Sequence, residues 1–226
     1  MLNRRHLRIK VLQSLYAYFQ SSDTDYLKSE KEMMNAIDRI YDLYLYLMLT
    51  FAEVKVHAER KIEEGKNKIR PTEEELNPNM KMIDNKIIAI LSESSELRKI
   101  SEGARVNWVG DEHQEMFRKM INQIKESETY FEYMNNGEQG FEEDRAFAIE
   151  LFKEEIANFS VLYSFFEEKS IHWLDDIDLA CNMVVKTINL DDGAITEEGT
   201  HQELMDLEGS YYELYQKQLL EEEETE

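Results

Sequence analysis

Ser29–Gly65 reads SEKEMMNAIDRIYDLYLYLMLTFAEVKVHAERKIEEG, with no Pro and no Gly before its last residue. Ser29 and Glu32 stand at capping-box spacing, and the uninterrupted run after them predicts one long helix, or two nearly continuous ones, over about residues 26–64. The middle of the run, Leu43–Ala52, is ten residues of LYLYLMLTFA between Asp42 and Glu53. A membrane-spanning helix needs ~20 such residues, so this stretch predicts a helix buried on most sides. Its tyrosines and leucines are read as core packing rather than as an aromatic binding surface.

Outward from that helix the chain keeps the same character. Eight Gly and two Pro in 226 residues are too few for the many turns of an all-β fold. An apolar fraction of 42 % with twelve Tyr, ten Phe and eleven Met supplies a real core. The fold class expected is all-α, a helical bundle with long helices plus a small hairpin and helix at the C-terminal end. Arg70-Pro71 and Asn77-Pro78 bracket an acidic loop with one helical turn. Further helices are predicted over 79–97, from an Asp111 N-cap to about Ser127, and over about 141–157, 160–169 and 174–188. The stretch 98–110 reads as a polar connection and Asn135-Asn136-Gly137 as a turn. Asp192-Gly193, between short apolar alternations over 190–198, reads as a hairpin. Thr200 and Glu203 then open a short helix, and a last helix carries Tyr211, Tyr212, Leu214 and Tyr215.

Before the long helix comes MLNRRHLRIKVLQSLYAYFQSS, residues 1–22, without one Asp or Glu, although acids outnumber bases 48 to 26 in the whole chain. Evenly spread acids would occur about 4.7 times there, and their absence is roughly a half-per-cent event by chance. Arg4, Arg5, Arg8 and Lys10, with His6 among them, form a concentrated positive site on a chain of net charge −22. A helix is predicted over about 3–19. Leu7, Val11, Leu12, Leu15, Tyr18 and Phe19 share one broad face that is expected to meet the core. Arg5, Ile9, Gln13 and Tyr16 lie together on the flank, with Arg4 and Arg8 at the rim of the core. Cations in a first turn oppose the helix dipole by a few tenths of a kcal/mol each, so stability alone would place acids there. The arrangement makes sense if the cations serve a partner. Arginines would hold phosphates, the Tyr16 ring would stack on a base and the Gln13 amide would read a base edge. With a Debye length of about 8 Å at 0.15 M salt, distant acids do not cancel such a site.

Asn3-Arg4-Arg5-His6-Leu7-Arg8, followed by Val11-Leu12-Gln13-Ser14-Leu15-Tyr16-Ala17, resembles the N-terminal signature of the NusB family of transcription antitermination factors. The stretch from Arg145-Ala146-Phe147 to Lys186-Thr187-Ile188 resembles its enlarged variety, so the likeness covers about residues 1–188. The resemblance implies an all-helical RNA-binding protein that takes single-stranded boxA RNA together with NusE, a ribosomal small-subunit protein. It implies Arg4, Arg5, Arg8, Gln13 and Tyr16 as the RNA-facing residues, and His6 stands where many members have another Arg. The family's Trp-x-x-x-Arg helix entry and its later Asn-Glu helix have no counterpart after Ile188. In their place Leu190-Asp191-Asp192-Gly193-Ala194 to Glu203-Leu204, with Gly209-Ser210-Tyr211-Tyr212, resembles the extreme C-terminus of an ABC-transporter ATPase domain. A division into a helical body, 1–188, and a tail, 189–226, follows, as from a fusion, a frame error or a misassembled gene. A body deprived of helices meant to cover it is expected to self-associate through an exposed apolar face.

No enzyme is expected. The chain has no G-x-x-x-x-G-K-[ST], no nucleophile–base pair and no His at metal-ligand spacing, so neither cofactor nor metal is expected. Glu142-Glu143-Asp144 and Glu154-Glu155 read as solvated helix faces, His172 beside Trp173 as a structural pair, and Cys181 as a small core residue. His57 and His113 carry no recognisable partner, and His201 belongs to the tail. The lone cysteine and the absence of a leader-like apolar start fit the cytoplasm. The alternative to RNA binding is a helical protein–protein interaction module.

Overall fold

A computed structural model describes residues 4–21, 25–170 and 173–190, and every regular element among them is a helix. The hairpin and helices expected beyond residue 190, His172 and His201 lie outside the described residues. The protein is an all-α bundle. No helix among the described residues is long and apolar enough to cross a membrane.

The long run forms one helix, α2, Tyr26–Lys66, of 41 residues, or about 61 Å at 1.5 Å per residue. Its cap is Asp25 rather than Ser29: the Asp25 carboxylate accepts from the Leu27 and Lys28 amides at 3.1 and 3.3 Å. Ser29 and Glu32 therefore fall inside the helix. Leu43, Leu45, Tyr46, Leu47, Met48 and Phe51 are almost wholly buried, as expected of the LYLYLMLTFA run. Both sides of this run are covered because α2 is touched by α1 (Arg4–Gln20), α3 (Glu73–Leu76), α4 (Lys86–Glu93), α5 (Ser95–Ala104), α6 (Asp111–Glu126) and α10 (Trp173–Leu190).

Tyr46 is the hub. Its carbonyl accepts from Trp108 Nε1 at 3.1 Å and from the Thr50 hydroxyl at 2.9 Å. Its ring meets those of Trp108, Phe165, Phe166 and Trp173 at centroid distances of 4.8–6.2 Å, within the range where edge-to-face pairs are favourable. The Lys169 ammonium lies 4.7 Å from the Tyr46 ring centroid. Trp173 donates from Nε1 to the Arg39 carbonyl at 2.9 Å, which ties the start of α10 to the middle of α2.

Several boundaries differ from expectation for identifiable reasons. The helix expected over 79–97 is split into α4 and α5, because Asn85 and Ser94 cap new starts through side chains that accept from the Ile88 and Leu97 amides. The stretch expected to be a polar connection is thus helical as far as Ala104, where Arg105 turns left-handed at φ 57° and closes α5. Asp111 is the first residue of α6, and Gly110 caps it at φ 140°, a backbone angle that favours glycine. A helix not foreseen, α7 (Glu128–Asn135), starts on Ser127, whose hydroxyl accepts from the Tyr130 amide at 3.2 Å. The helix expected over 141–157 is α8 (Phe141–Glu150) running into a π-helical turn, Leu151–Ile156. That wider turn keeps Leu151, Phe152 and Ile156 all inside the core. The one-turn acidic helix α3 carries a full capping box between Thr72 and Glu75. The remaining described helix, α9, is Ser160–Lys169, as expected.

Asp144 is a correction. Rather than lying on a solvated acidic face, it is 8 % exposed. Its carboxylate accepts from the Tyr133 hydroxyl at 2.6 Å and from the Lys86 amide at 3.1 Å, while its carbonyl accepts from Asn85 Nδ2 at 2.9 Å. This network ties α4, α7 and α8 together, and burial with the Asp144 contact pushes the Tyr133 hydroxyl's pKa well up.

His57 and His113 prove to be core residues. His57 stacks on Phe117 and lies 3.9 Å from a Glu53 oxygen, and His113 sits edge-on to Trp108 and Phe165. Burial is the main reason that both titrate below the usual 6.5. The folded state therefore favours their neutral forms. Their stabilising contribution is complete above pH ~6.5 and is lost as pH falls through the lowered folded values. Melting temperature recorded from pH 7.5 to 5 should fall more steeply for the native chain than for a His57→Gln/His113→Gln variant. Parallel curves would contradict this.

Candidate nucleic-acid interface

The basic first helix exists, α1, Arg4–Gln20, but it is rolled about its axis relative to expectation. The single buried residue in it is Lys10, with His6, Ser14 and Tyr18 half-buried beside it. These four recur every fourth residue, so they form one stripe. Of the face that hydrophobicity points inward, Tyr18 is half-buried and Leu7 and Val11 border the stripe, whereas Leu12, Leu15 and Phe19 face water.

Chemistry explains the roll. Lys10 Nζ lies 2.6 Å from Asp176 Oδ2 on α10, and both side chains are under a tenth exposed. A buried carboxylate without a cation costs several kcal/mol. Asp176 sits beside the apolar stripe Trp173, Ile177, Ala180, Val184 and Ile188 of α10, where a cation stabilises its carboxylate. Lys10 is that cation and is a correction to the positive site: it is a structural cation, unavailable to a ligand. Gln13 joins it, donating from Nε2 to Asp175 Oδ2 at 3.5 Å.

With Lys10 inward, the opposite surface is set. Arg5, Arg8, Leu12, Tyr16 and Phe19 fall within about 80° of one another on the helical wheel and point away from α2 and α10. Tyr16 is 69 % and Phe19 79 % exposed. Arg5 and Arg8 are exposed and make no ion pair with another described residue. Arg4 is exposed at the same end, about 40° from Arg8 on the wheel. Of the five residues expected to form a site, the helix therefore brings together Arg5, Arg8 and Tyr16, keeps Arg4 at their edge and directs Gln13 toward α10. Arg8 and Tyr16 are eight residues apart, about 12 Å along the axis.

Leu12, Leu15 and Phe19 are residues that sequence reasoning misplaced, since it assigned them to the core-facing side. The missed signal lay in α10: an acid among buried positions predicts an inward lysine, and Lys10 with His6, Ser14 and Tyr18 offers the matching polar stripe. Elsewhere the described residues hold no group of three or more His, Cys, Asp or Glu placed to bind a metal ion. Cys181 is half-buried, and burial pushes its thiol up to about 11. Such a thiol is protonated at neutral pH and a poor nucleophile.

Compared with protein-family models, with curated proteins and with solved structures, the chain gives no match in any of the three.

Substituting Lys10 by Met should leave Asp176 buried without its lysine and destabilise the α1–α10 contact by about 3–5 kcal/mol. Hydrogen exchange in α1 should rise sharply while α2 residues 43–51 stay protected. A Lys10→Met/Asp176→Leu pair should restore protection. Unchanged exchange in Lys10→Met would show that the pair does not hold the helix.

Proposed function

We propose that the outward face of α1 binds single-stranded RNA, with Arg5 and Arg8 on phosphates, Arg4 at the edge, and the Tyr16 ring stacked on a base. The observation that carries this reading is the alignment of exposed cations with exposed rings along a helix that contains no acid. Single-strand binders combine these two elements, a positive track for the backbone and aromatic faces for the bases. Phe19 supplies a second ring. Gln13, engaged with Asp175, has a lesser part than the resemblance implies. The likeness to the NusB family supplies the finer proposal: the RNA is of the boxA type, bound alongside NusE, and the role is antitermination of transcription.

A second reading is favoured by a specific observation. Leu12 is 65 % exposed between the cations and the rings, and an aliphatic side chain is of more use to a protein partner than to RNA. Reversing the charges (Arg4→Glu, Arg5→Glu, Arg8→Glu) separates the two, because it abolishes RNA binding and leaves apolar docking of a protein in place.

Fluorescence titration of a boxA-like RNA at several salt concentrations tests the leading reading. With about three phosphates neutralised, the slope of log K against log salt should be near −2. Arg5→Ala should cost ~1 kcal/mol or more in that assay, as loss of a charge-assisted contact does. Arg60→Ala, exposed on α2 and bonded to Gln114 at 2.7 Å, should cost little. A flat salt response, or no binding, contradicts the proposal.

A further inference from the structure

We infer that α1 pairs with α1 of a second copy, antiparallel, about a twofold axis at Leu12. The outermost line of α1 is Arg5, Arg8, Leu12, Leu15 and Phe19, spaced 3, 4, 3 and 4 residues apart. That spacing is the repeat of a knobs-into-holes seam, and here it faces solvent rather than another part of the bundle.

The order of residues along the seam specifies the occupant. A parallel partner of the same sequence sets Arg5 against Arg5 and Arg8 against Arg8, which is repulsive. An antiparallel copy sets Leu12 on Leu12 and each Arg8 opposite the second copy's Tyr16. Each Arg5 then falls opposite the second copy's Phe19. Arg5 and Arg8 then each lie opposite an aromatic ring, and the two cationic ends are as far apart as the helices permit.

Charge points to the same surface. Two chains of net charge −22 repel almost everywhere, and residues 1–22 carry no acid at all. The face least opposed to self-contact is therefore the one with the seam. Five apolar side chains lie on or beside the seam, Ile9, Leu12, Leu15, Tyr16 and Phe19, and are 42–79 % exposed. At ~200 Å² for a large side chain this amounts to on the order of 600 Å² per copy, below the ~800 Å² that each partner gives to a standard interface, as suits a weak association. A 15-residue seam, about 21 Å long, makes an association that depends on micromolar concentration rather than an obligate dimer.

The inference does not rest on the RNA reading, and its test contains no RNA. Salt also separates the two, because it weakens phosphate binding and strengthens pairing of like-charged chains. Sedimentation velocity of the full chain from 1 to 200 μM should show a monomer–dimer equilibrium, with the dimer fraction rising several-fold between 0.05 and 0.5 M NaCl. Leu12→Glu, which places two carboxylates on the axis, should be monomeric throughout with an unchanged helical melt. Should that variant melt early, Phe19→Ala provides the same readout through loss of the Arg5 contact. In a Cys181→Ala background, Leu12→Cys should cross-link to itself with a short bis-maleimide. A native chain that stays monomeric, a dimer indifferent to Leu12→Glu and Phe19→Ala, or a dimer in which residue 12 does not cross-link would each overturn the inference.

Discussion

The buried contact between Lys10 and Asp176 decides what this molecule shows to its surroundings. A helix with apolar residues on one side and a lysine on the other would ordinarily turn the apolar side inward. Here α10 carries an acid at a buried position, and Lys10 of the rolled helix lies 2.6 Å from it. Breaking a buried ion pair by removing one partner costs about 3–5 kcal/mol, more than the partial exposure of any single leucine, at about 1–2 kcal/mol. Once Lys10 is fixed, the rotation of α1 is fixed, and with it the outward line of arginines, leucines and rings.

The rest of the bundle makes that contact possible without taking part in it. Residues 43–51 of α2 are enclosed on both sides, so α2 acts as a spine against which α10 is held by the Trp173–Arg39 hydrogen bond and the Tyr46 aromatic cluster. Asp176 lies three residues beyond Trp173, less than one turn, so the anchor of α10 also positions the carboxylate that Lys10 needs. The Asn85–Tyr133–Asp144 network performs the equivalent task at the other end of the bundle, where it specifies how α4, α7 and α8 meet. In both places a buried polar group fixes an arrangement that apolar packing would leave undetermined.

The fold was legible in the sequence wherever a periodic apolar run met clear punctuation. The absence of Gly and Pro between Ser29 and Gly65 gave α2 to within a few residues, and Pro71 and Pro78 framed α3. Helix breaks marked only by a side-chain cap were not legible: Asn85 and Ser94 lie in stretches whose apolar spacing reads straight through them. α7 was hidden because Tyr130, Phe131, Tyr133 and Met134 give a short apolar run with no helical period of its own. The candidate site was half legible. The acid-free, cation-rich start located it, but its orientation depends on a residue 166 positions away. Amphipathicity, which is local, pointed the wrong way because the deciding interaction is not local.

The two proposed uses of the outward face, binding single-stranded RNA and pairing with a second copy of the same helix, exclude each other on one surface. Both depend on Lys10 being turned away from that surface. The most direct measurement is NMR of the lysine ammonium groups at pH 7 and 25 °C. A Lys10 Nζ resonance that persists through slow hydrogen exchange, shows proximity to the Asp176 side chain, and disappears in Asp176→Asn is the result predicted here. A Lys10 ammonium that exchanges as fast as those of exposed lysines, with Leu12 and Phe19 methyl and ring protons contacting α10 instead, would contradict the account.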